Sequence, residues 1–284
     1  MAGRPAGASD HRDGQRSGFG VDEQVLAGLA KELADAARTR VPVRLLSERF
    51  PGLTLEDAYR IQRINVEGQV SAGARVAGHK IGLTSAAMQE QMGIDEPDSG
   101  VVVQSMVAPS GCRLRSADFM NPRIETEIAF RLGCDLPGPS DMDTVRSAVA
   151  EVFLAFEVLD TVFASWDITL ADSIADNAAC AGVITGQAVP FDPAWDLDAE
   201  QITAEADGKV AATGEGRDIL GDPLQALVWL THRLPVLGTA LRAGDKGTTD
   251  SVGGPSRKIE AKPFSLWTGW LRGCATAPAG NGLH

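Results

Sequence analysis

The sequence predicts an α+β protein, with a largely β core that follows a small helical region. Two observations carry this. Apolar residues recur at helical spacing through the first part of the chain. After Gly73 the texture changes to short β-like runs bounded by Gly and Pro, unevenly spaced and with few helical stretches between them.

Taken in order, residues 1–20 (MAGRPAGASDHRDGQRSGFG) are rich in Gly, Arg, Ser and Asp and read as a disordered leader. From Val21 to Arg40, the apolar residues Val25, Leu26, Leu29 and Leu33 mark one amphipathic helix. Thr54-Leu55-Glu56-Asp57 marks the start of a second. A Thr N-cap is followed three residues later by an acid, just ahead of Tyr59, Ile61 and Ile64. These helices form an N-terminal cap over 21–72. A β-rich domain is expected over 73–262. Its runs are Val76 to Ile81, Gly100 to Val107, Arg123 to Leu132, Val152 to Val162 and Ala181 to Thr185. Helices are expected around Ser85–Met92, Asp143–Ala150 and Pro223–Leu234, and an atypical tail occupies 263–284.

A chain of 284 residues holds one large domain, or a domain with a small appendage. With 44% hydrophobic and 23% charged residues, it has the balance of a folded globular protein. A net charge of −12 argues against a nucleic-acid partner, since no basic patch is available to neutralise phosphates. It leaves an anionic substrate open, because local cations decide that. The cysteines Cys112, Cys134, Cys180 and Cys274 are widely spaced and contain no C-x-x-C pair, which reads as isolated thiols. No run is long and apolar enough for a membrane span, and the N-terminus lacks a secretory apolar core. The expectation is a cytoplasmic protein with no membrane partner.

The chemistry concentrates in Pro122-Arg123-Ile124-Glu125-Thr126-Glu127-Ile128-Ala129-Phe130. As a strand, this places Ile124, Thr126, Ile128 and Phe130 on one face and Glu125 with Glu127 on the other, about 6–7 Å apart at the backbone. On its own the pair reads first as a half-exposed strand showing two glutamates to water. A second segment shifts that balance. In Val152-Phe153-Leu154-Ala155-Phe156-Glu157-Val158-Leu159, a glutamate interrupts a run that otherwise looks buried. A buried carboxylate has to be paired, protonated or bound to metal. The alternative is a register that leaves Glu157 at a strand edge. Three such glutamates make an all-oxygen site suited to Mg²⁺ or Mn²⁺.

In Gly78-His79-Lys80-Ile81-Gly82-Leu83-Thr84, the flanking glycines let backbone approach a ligand, and Lys80 is placed to pair with a substrate carboxylate. Its alternative is a solvated surface lysine. His79 reads as structural. The stretch Asp172-Ser173-Ile174-Ala175-Asp176-Asn177-Ala178-Ala179-Cys180 either hydrogen-bonds substrate or is a helix-capping turn, and the pattern alone does not choose.

Three blocks, GHKIGLTSAAMQEQMGIDEPDSG, NPRIETEIAF and FEVLDTVFASWDITLADSIADNAACAGVITG, together resemble the 2-keto-4-pentenoate hydratase and 4-oxalocrotonate decarboxylase family of the fumarylacetoacetate-hydrolase superfamily. The resemblance runs from about residue 25 to 245, with the blocks in the family's order. It implies a mixed β-roll core with an N-terminal helical region, a homo-oligomer and one divalent ion per site. The family's E-x-E pair falls on Glu125 and Glu127 and its third ligand on Glu157. Its active-site lysine falls on Lys80, within a motif that continues through Leu83 and Thr84 as substrate-binding positions. The acid of P-D-[YF]-G falls on Asp98, where Ser99 replaces the usual aromatic. Its A-D-N segment falls on Asp176 and Asn177. Beyond Ala243-Gly244-Asp245 the chain departs from the family: Asp250 stands where the family has glycine, and the tail PFSLWTGWLRGCATAPAGNGLH differs from the expected closing strands.

The implied activity is Mg²⁺-dependent addition of water to 2-hydroxypenta-2,4-dienoate or a close homologue, in the catabolism of aromatic compounds. Lys80 would pair with the substrate carboxylate, and Asp98 or a bound water would handle protons. The alternatives are decarboxylation of a 2-oxo-enedioate such as 4-oxalocrotonate and hydration of a longer 2-oxo-dienedioate. A reading of another class is a non-catalytic companion subunit, against which the intact glutamates argue. Association with a pathway enzyme is a further expectation.

Overall fold

The computed structural model describes residues 21–86, 89–90 and 94–249, with the backbone of three short strands farther on. The predicted leader, most of the tail, Asp250, Cys274 and part of the predicted helix at 85–92 lie outside the described residues.

The N-terminal region holds α1 (Glu23–Thr39), the single turn α2 (Leu46–Arg49) and α3 (Leu55–Ser71). The predicted cap of α3 is present in both directions. Thr54 Oγ1 accepts from Asp57 N at 3.1 Å, and Asp57 Oδ2 accepts from Thr54 N at 3.3 Å. Leu26, Leu29, Leu33, Leu46, Ala58 and Ile61 from these helices bury against Val162, Phe163, Leu170 and Ile174.

The β core begins with β1 (Val76–Gly82), β2 (Asp98–Val103), β3 (Val107–Pro109) and β4 (Arg123–Leu132). Next come α4 (Met142–Ala148), β5 (Val149–Leu159), α5 (Leu170–Ala175), β6 (Cys180–Thr185) and β7 (Val189–Pro190). The hairpin β8 (Gln201–Ala206) and β9 (Lys209–Glu215) leads to α6 (Leu224–Val236) and β10 (Lys246–Thr248). The last strands are β11 (Arg257–Lys258), β12 (Phe264–Thr268) and β13 (Thr276–Ala277).

The main sheet runs β2-β1-β10-β4-β5-β6-β3, with β11 added on β4 and β7 on β5. It is mixed, since β1 pairs with β10 and β3 with β6 in parallel while the other neighbours are antiparallel. A smaller sheet runs β13-β12-β8-β9. Strand alternation separates two faces. On one, Ile124, Ile128 and Phe130 of β4 and Val152, Leu154, Phe156 and Val158 of β5 enter the main core, where Leu224, Leu227 and Leu230 of α6 cover them. On the other, Ala129, Phe153 and Ala155 form an apolar floor with Val102, Cys180 and Val183. The three glutamates lie on this second face.

One aspartate ties the helical region to the sheet. Asp172, fully buried at the start of α5, accepts from Leu46 N at 2.8 Å, Ser47 N at 3.0 Å and Ser47 Oγ at 2.6 Å. It also caps its own helix through Thr169. Gln62 of α3 donates to both Ser99 O of β2 (2.9 Å) and Ile174 O of α5 (3.0 Å).

Candidate metal centre

The convergence of the glutamates follows from register. The β4–β5 ladder sets Glu125 directly opposite Glu157 and Glu127 opposite Ala155, so all three carboxylates share one face and one neighbourhood. One oxygen from each lies within 4.8 Å of the other two. Glu127 and Glu157 are fully buried and Glu125 is partly exposed. Burial, reinforced by the Glu157 charge, holds the Glu127 carboxyl well above the usual carboxylate range. Like charges directly opposite on a sheet are destabilising. An all-oxygen set that is buried, close and mutually repulsive matches the donor chemistry of a hard divalent cation.

Lys80 is buried, not a solvated surface lysine. Its Nζ lies 3.8 Å from Asp98 Oδ1 and 3.7 Å from Glu157 Oε2. Burial pulls its pKa down, but the charges of Glu157, Asp98 and Glu125 outweigh this and hold it well above the ordinary value. Asp98, at the start of β2, takes a second bond at Oδ2 from Ser173 Oγ, 3.2 Å away on α5. Gly82 is what lets this pair close. A Cβ there would stand 2.4 Å from Asp98 Oδ1 and 2.6 Å from Lys80 Nζ. His79 points the other way along β1 and is buried, and burial lowers its pKa to about 4. That fits the structural role read from the sequence.

Of the remaining sequence candidates, Leu83 packs among apolar side chains and Thr84, Asp176 and Asn177 make bonds to backbone groups. Leu83 follows β1 with a left-handed φ of 61°, and its side chain packs toward the cluster of the N-terminal helices. Thr84 is buried, with its hydroxyl donating to Thr249 O at 3.4 Å. Asp176 accepts from Thr161 Oγ1 and Val162 N, each at 2.9 Å, and burial pushes its carboxyl up to about 7. Asn177 accepts from Val101 N at 2.8 Å and donates to Val101 O at 2.9 Å, which holds the edge of β2.

Asn177, Ala178 and Ala179 run consecutively with φ of 56°, 53° and 55°, a left-handed turn that L-residues adopt only under tertiary constraint. Gly100 accommodates it, since a Cβ at that position would lie 2.4 Å from Asn177 O. Sequence reasoning read Gly82 as leaving room for a ligand beside Lys80, and did not single out Ser173 or Cys180 for a role in the site. The Cys180 thiol, beside Glu157, is raised by burial and then by the Glu157 charge.

No family model matches the chain. It is 38% identical over 233 residues, 82% of this chain and 89% of the relative, to 2-keto-4-pentenoate hydratase from Burkholderia vietnamiensis (strain G4 / LMG 22486). It is 36% identical over 222 residues, 78% of this chain and 100% of the relative, to 2-hydroxypent-2,4-dienoate hydratase from Pseudomonas putida. Among solved structures, 4-oxalocrotonate decarboxylase from Pseudomonas putida G7, complexed with magnesium and adipate, superposes with a TM-score of 0.86 at 25% identity, covering 91% of this chain and 98% of that one. The chain belongs to the 2-keto-4-pentenoate hydratase family.

Proposed function

We propose that this protein is a divalent-metal-dependent hydro-lyase that adds water to 2-hydroxypenta-2,4-dienoate, or a close homologue, to give a 4-hydroxy-2-oxo acid. The observation that carries the reading is the convergence of Glu125, Glu127 and Glu157, with the Lys80–Asp98 pair against them, in a chain of this family. The three glutamates would hold the ion, Mg²⁺ first and Mn²⁺ second by donor chemistry. When bound, it supplies Lewis-acid polarisation of a 2-oxo or 2-hydroxy acid and offsets part of the site's negative charge.

The chain's own residues supply the rest. Hydration moves the 2-hydroxyl proton of the dienol to C5, giving a 2-oxo-3-enoate, and then adds water across C3 and C4 with the hydroxyl on C4 and the proton on C3, so one group must give and take protons at short range. Asp98 suits this role, because Ser173 holds its Oδ2 by a hydrogen bond and Lys80 faces its Oδ1 as an ion pair. Lys80 keeps a positive charge facing the acids, and so lowers the electrostatic cost of bringing an anion there. The apolar floor of Ala129, Phe153 and Ala155 limits water behind the site. Leu83 and Thr84 are assigned to substrate contacts on their place three and four residues after Lys80 in the motif that resembles the family's. The bonds of Asp176 and Asn177 favour a positioning role behind the substrate. The same reading makes the enzyme a cytoplasmic homo-oligomer of aromatic-compound catabolism.

One observation favours a second reading. The likeness to a 4-oxalocrotonate decarboxylase is high over nearly the whole chain. The test is to incubate the purified protein and Mg²⁺ with 2-hydroxypenta-2,4-dienoate and, separately, with 4-oxalocrotonate. Loss of dienol absorbance in the first supports the hydratase. CO₂ release from the second with no hydration of the first supports the decarboxylase. Inertness toward both overturns the assignment.

A further inference from the structure

Substrates of the proposed class are anions, and the site they enter is strongly acidic. Among the described residues, Asp98, Glu125, Glu127 and Glu157 stand against Lys80 in the deep part of the site, which leaves three formal negative charges among them. A divalent ion removes two. Lys80 is already flanked by Asp98 and Glu157 at under 4 Å, so its charge is largely matched within the protein. Another cation is needed where the substrate arrives.

Strand β4 provides one. Arg123, Glu125 and Glu127 alternate onto the same face, so Arg123 follows Glu125 at a backbone spacing of about 7 Å. Exposure falls along this row: Arg123 and Glu125 are partly exposed and Glu127 is fully buried. The row therefore opens to solvent at its Arg123 end. The guanidinium lies over the Trp166 ring, 4.3 Å from its centre. The indole is held in turn, with Nε1 donating to Asn121 O at 3.0 Å. Glu125 and Asp167 are its acidic neighbours. A stacked guanidinium is pre-oriented and loses little side-chain freedom when it receives a carboxylate, and its planar fork matches that group.

We propose that Arg123, braced by Trp166, is the cation that receives the substrate carboxylate at the mouth of the site. This rests on the reading of the protein as an enzyme of 2-oxo and 2-hydroxy acids. It assigns to Arg123 the carboxylate contact that the sequence alone suggested for Lys80.

The test uses the Mg²⁺-loaded full-length protein and 2-oxopentanoate, a saturated 2-oxo acid, titrated calorimetrically. Arg123→Gln should weaken binding at least tenfold, and Arg123→Lys should restore only part of it, since a lysine lacks the planar fork. Trp166→Leu should weaken binding about threefold, with Arg123 still present. In turnover, Arg123→Gln should raise KM tenfold or more and leave kcat within threefold. Its Mg²⁺ affinity should be unchanged or tighter, because a positive charge beside Glu125 has gone. Binding of 2-oxopentanoate within twofold of wild type overturns the proposal. So does a parallel fall of Mg²⁺ affinity and thermal stability, which would mark Arg123 as structural. If the wild type binds 2-oxopentanoate but turns over no dienoate, the hydratase reading fails while the titration still reports on Arg123.

Discussion

Replacing Glu127 by glutamine should have opposite effects on the metal-free and metal-loaded protein. Glu127 is fully buried, with a carboxylate oxygen within 4.8 Å of those of Glu125 and Glu157. Two unit charges at that separation repel by about 3.5 kcal/mol at an effective dielectric of 20. Proton uptake by the raised Glu127 carboxyl relieves part of this, so the net cost is smaller than the bare Coulomb repulsion. The isosteric amide should therefore stabilise the metal-free protein by about 1–2 kcal/mol.

With Mg²⁺ the sign reverses. At 100 times its dissociation constant, Mg²⁺ should stabilise the wild type by about 2.7 kcal/mol. A variant whose affinity has fallen a hundredfold gains only about 0.4 kcal/mol at the same concentration. Urea unfolding followed by tryptophan fluorescence, in EDTA and in Mg²⁺, measures both quantities. A variant less stable than wild type in EDTA would refute the reasoning, as would one that keeps the full Mg²⁺ gain. Either result would mean that the three carboxylates do not share one cation.

Three further outcomes are expected. Asp172→Ala strips the acceptor from the backbone N–H groups of Leu46, Ser47 and Thr169 and should cost about 3–5 kcal/mol in urea unfolding; a loss under about 1 kcal/mol would contradict its anchoring role. Gly82→Ala pushes on the movable tips of Asp98 and Lys80, so it should leave the unfolding midpoint near wild type while turnover drops at least tenfold, and unchanged kinetics would refute the close packing. His79 has a folded pKa of about 4 against an ordinary 6.5, so the unfolded chain takes up a proton first as pH falls. Its contribution is whole above pH 6.5 and is lost as pH drops from there toward 4, by about 3 kcal/mol in all. The wild type should thus lose more stability between pH 7.5 and 5 than His79→Gln; equal losses would count against a buried neutral imidazole.

Much of this was legible in the sequence, for reasons of periodicity. Alternation along Arg123–Leu132 sorted the apolar residues from the glutamates, and the structure has that strand at the same bounds. Glu157 stood out because a charge interrupted an apolar run. The capping box of α3 is local and was readable for the same reason. Long-range pairing leaves no such trace. The hairpin β8–β9 went unread, because its strands mix polar and small residues and are only partly buried. Nothing near Lys80 signals that β1 lies between β2 and β10. The predicted run Gly100 to Val107 is two strands divided by a single turn at Gln104–Met106. The bond from Ser173 to Asp98 joins two distant segments, and no spacing announces it. The polar stretch from Asp172 to Cys180 was open between two roles. Its side chains serve caps, backbone and Asp98, which makes it chiefly a scaffold.

The parallel pairing of β1 with β10 has a consequence for synthesis. Gly78, His79 and Lys80 take Lys246, Gly247 and Thr248 as partners, so the strand bearing the site's lysine is completed only by segments made much later. Until these emerge from the ribosome, one edge of β1 has no sheet neighbour, and an unpaired edge invites association with other chains. The two sides of the site also ripen at different times. The β4–β5 ladder, with its three glutamates, joins strands close in sequence and closes early. The strands that carry the acids thus pair without waiting for the C-terminal segment that completes the sheet around β1.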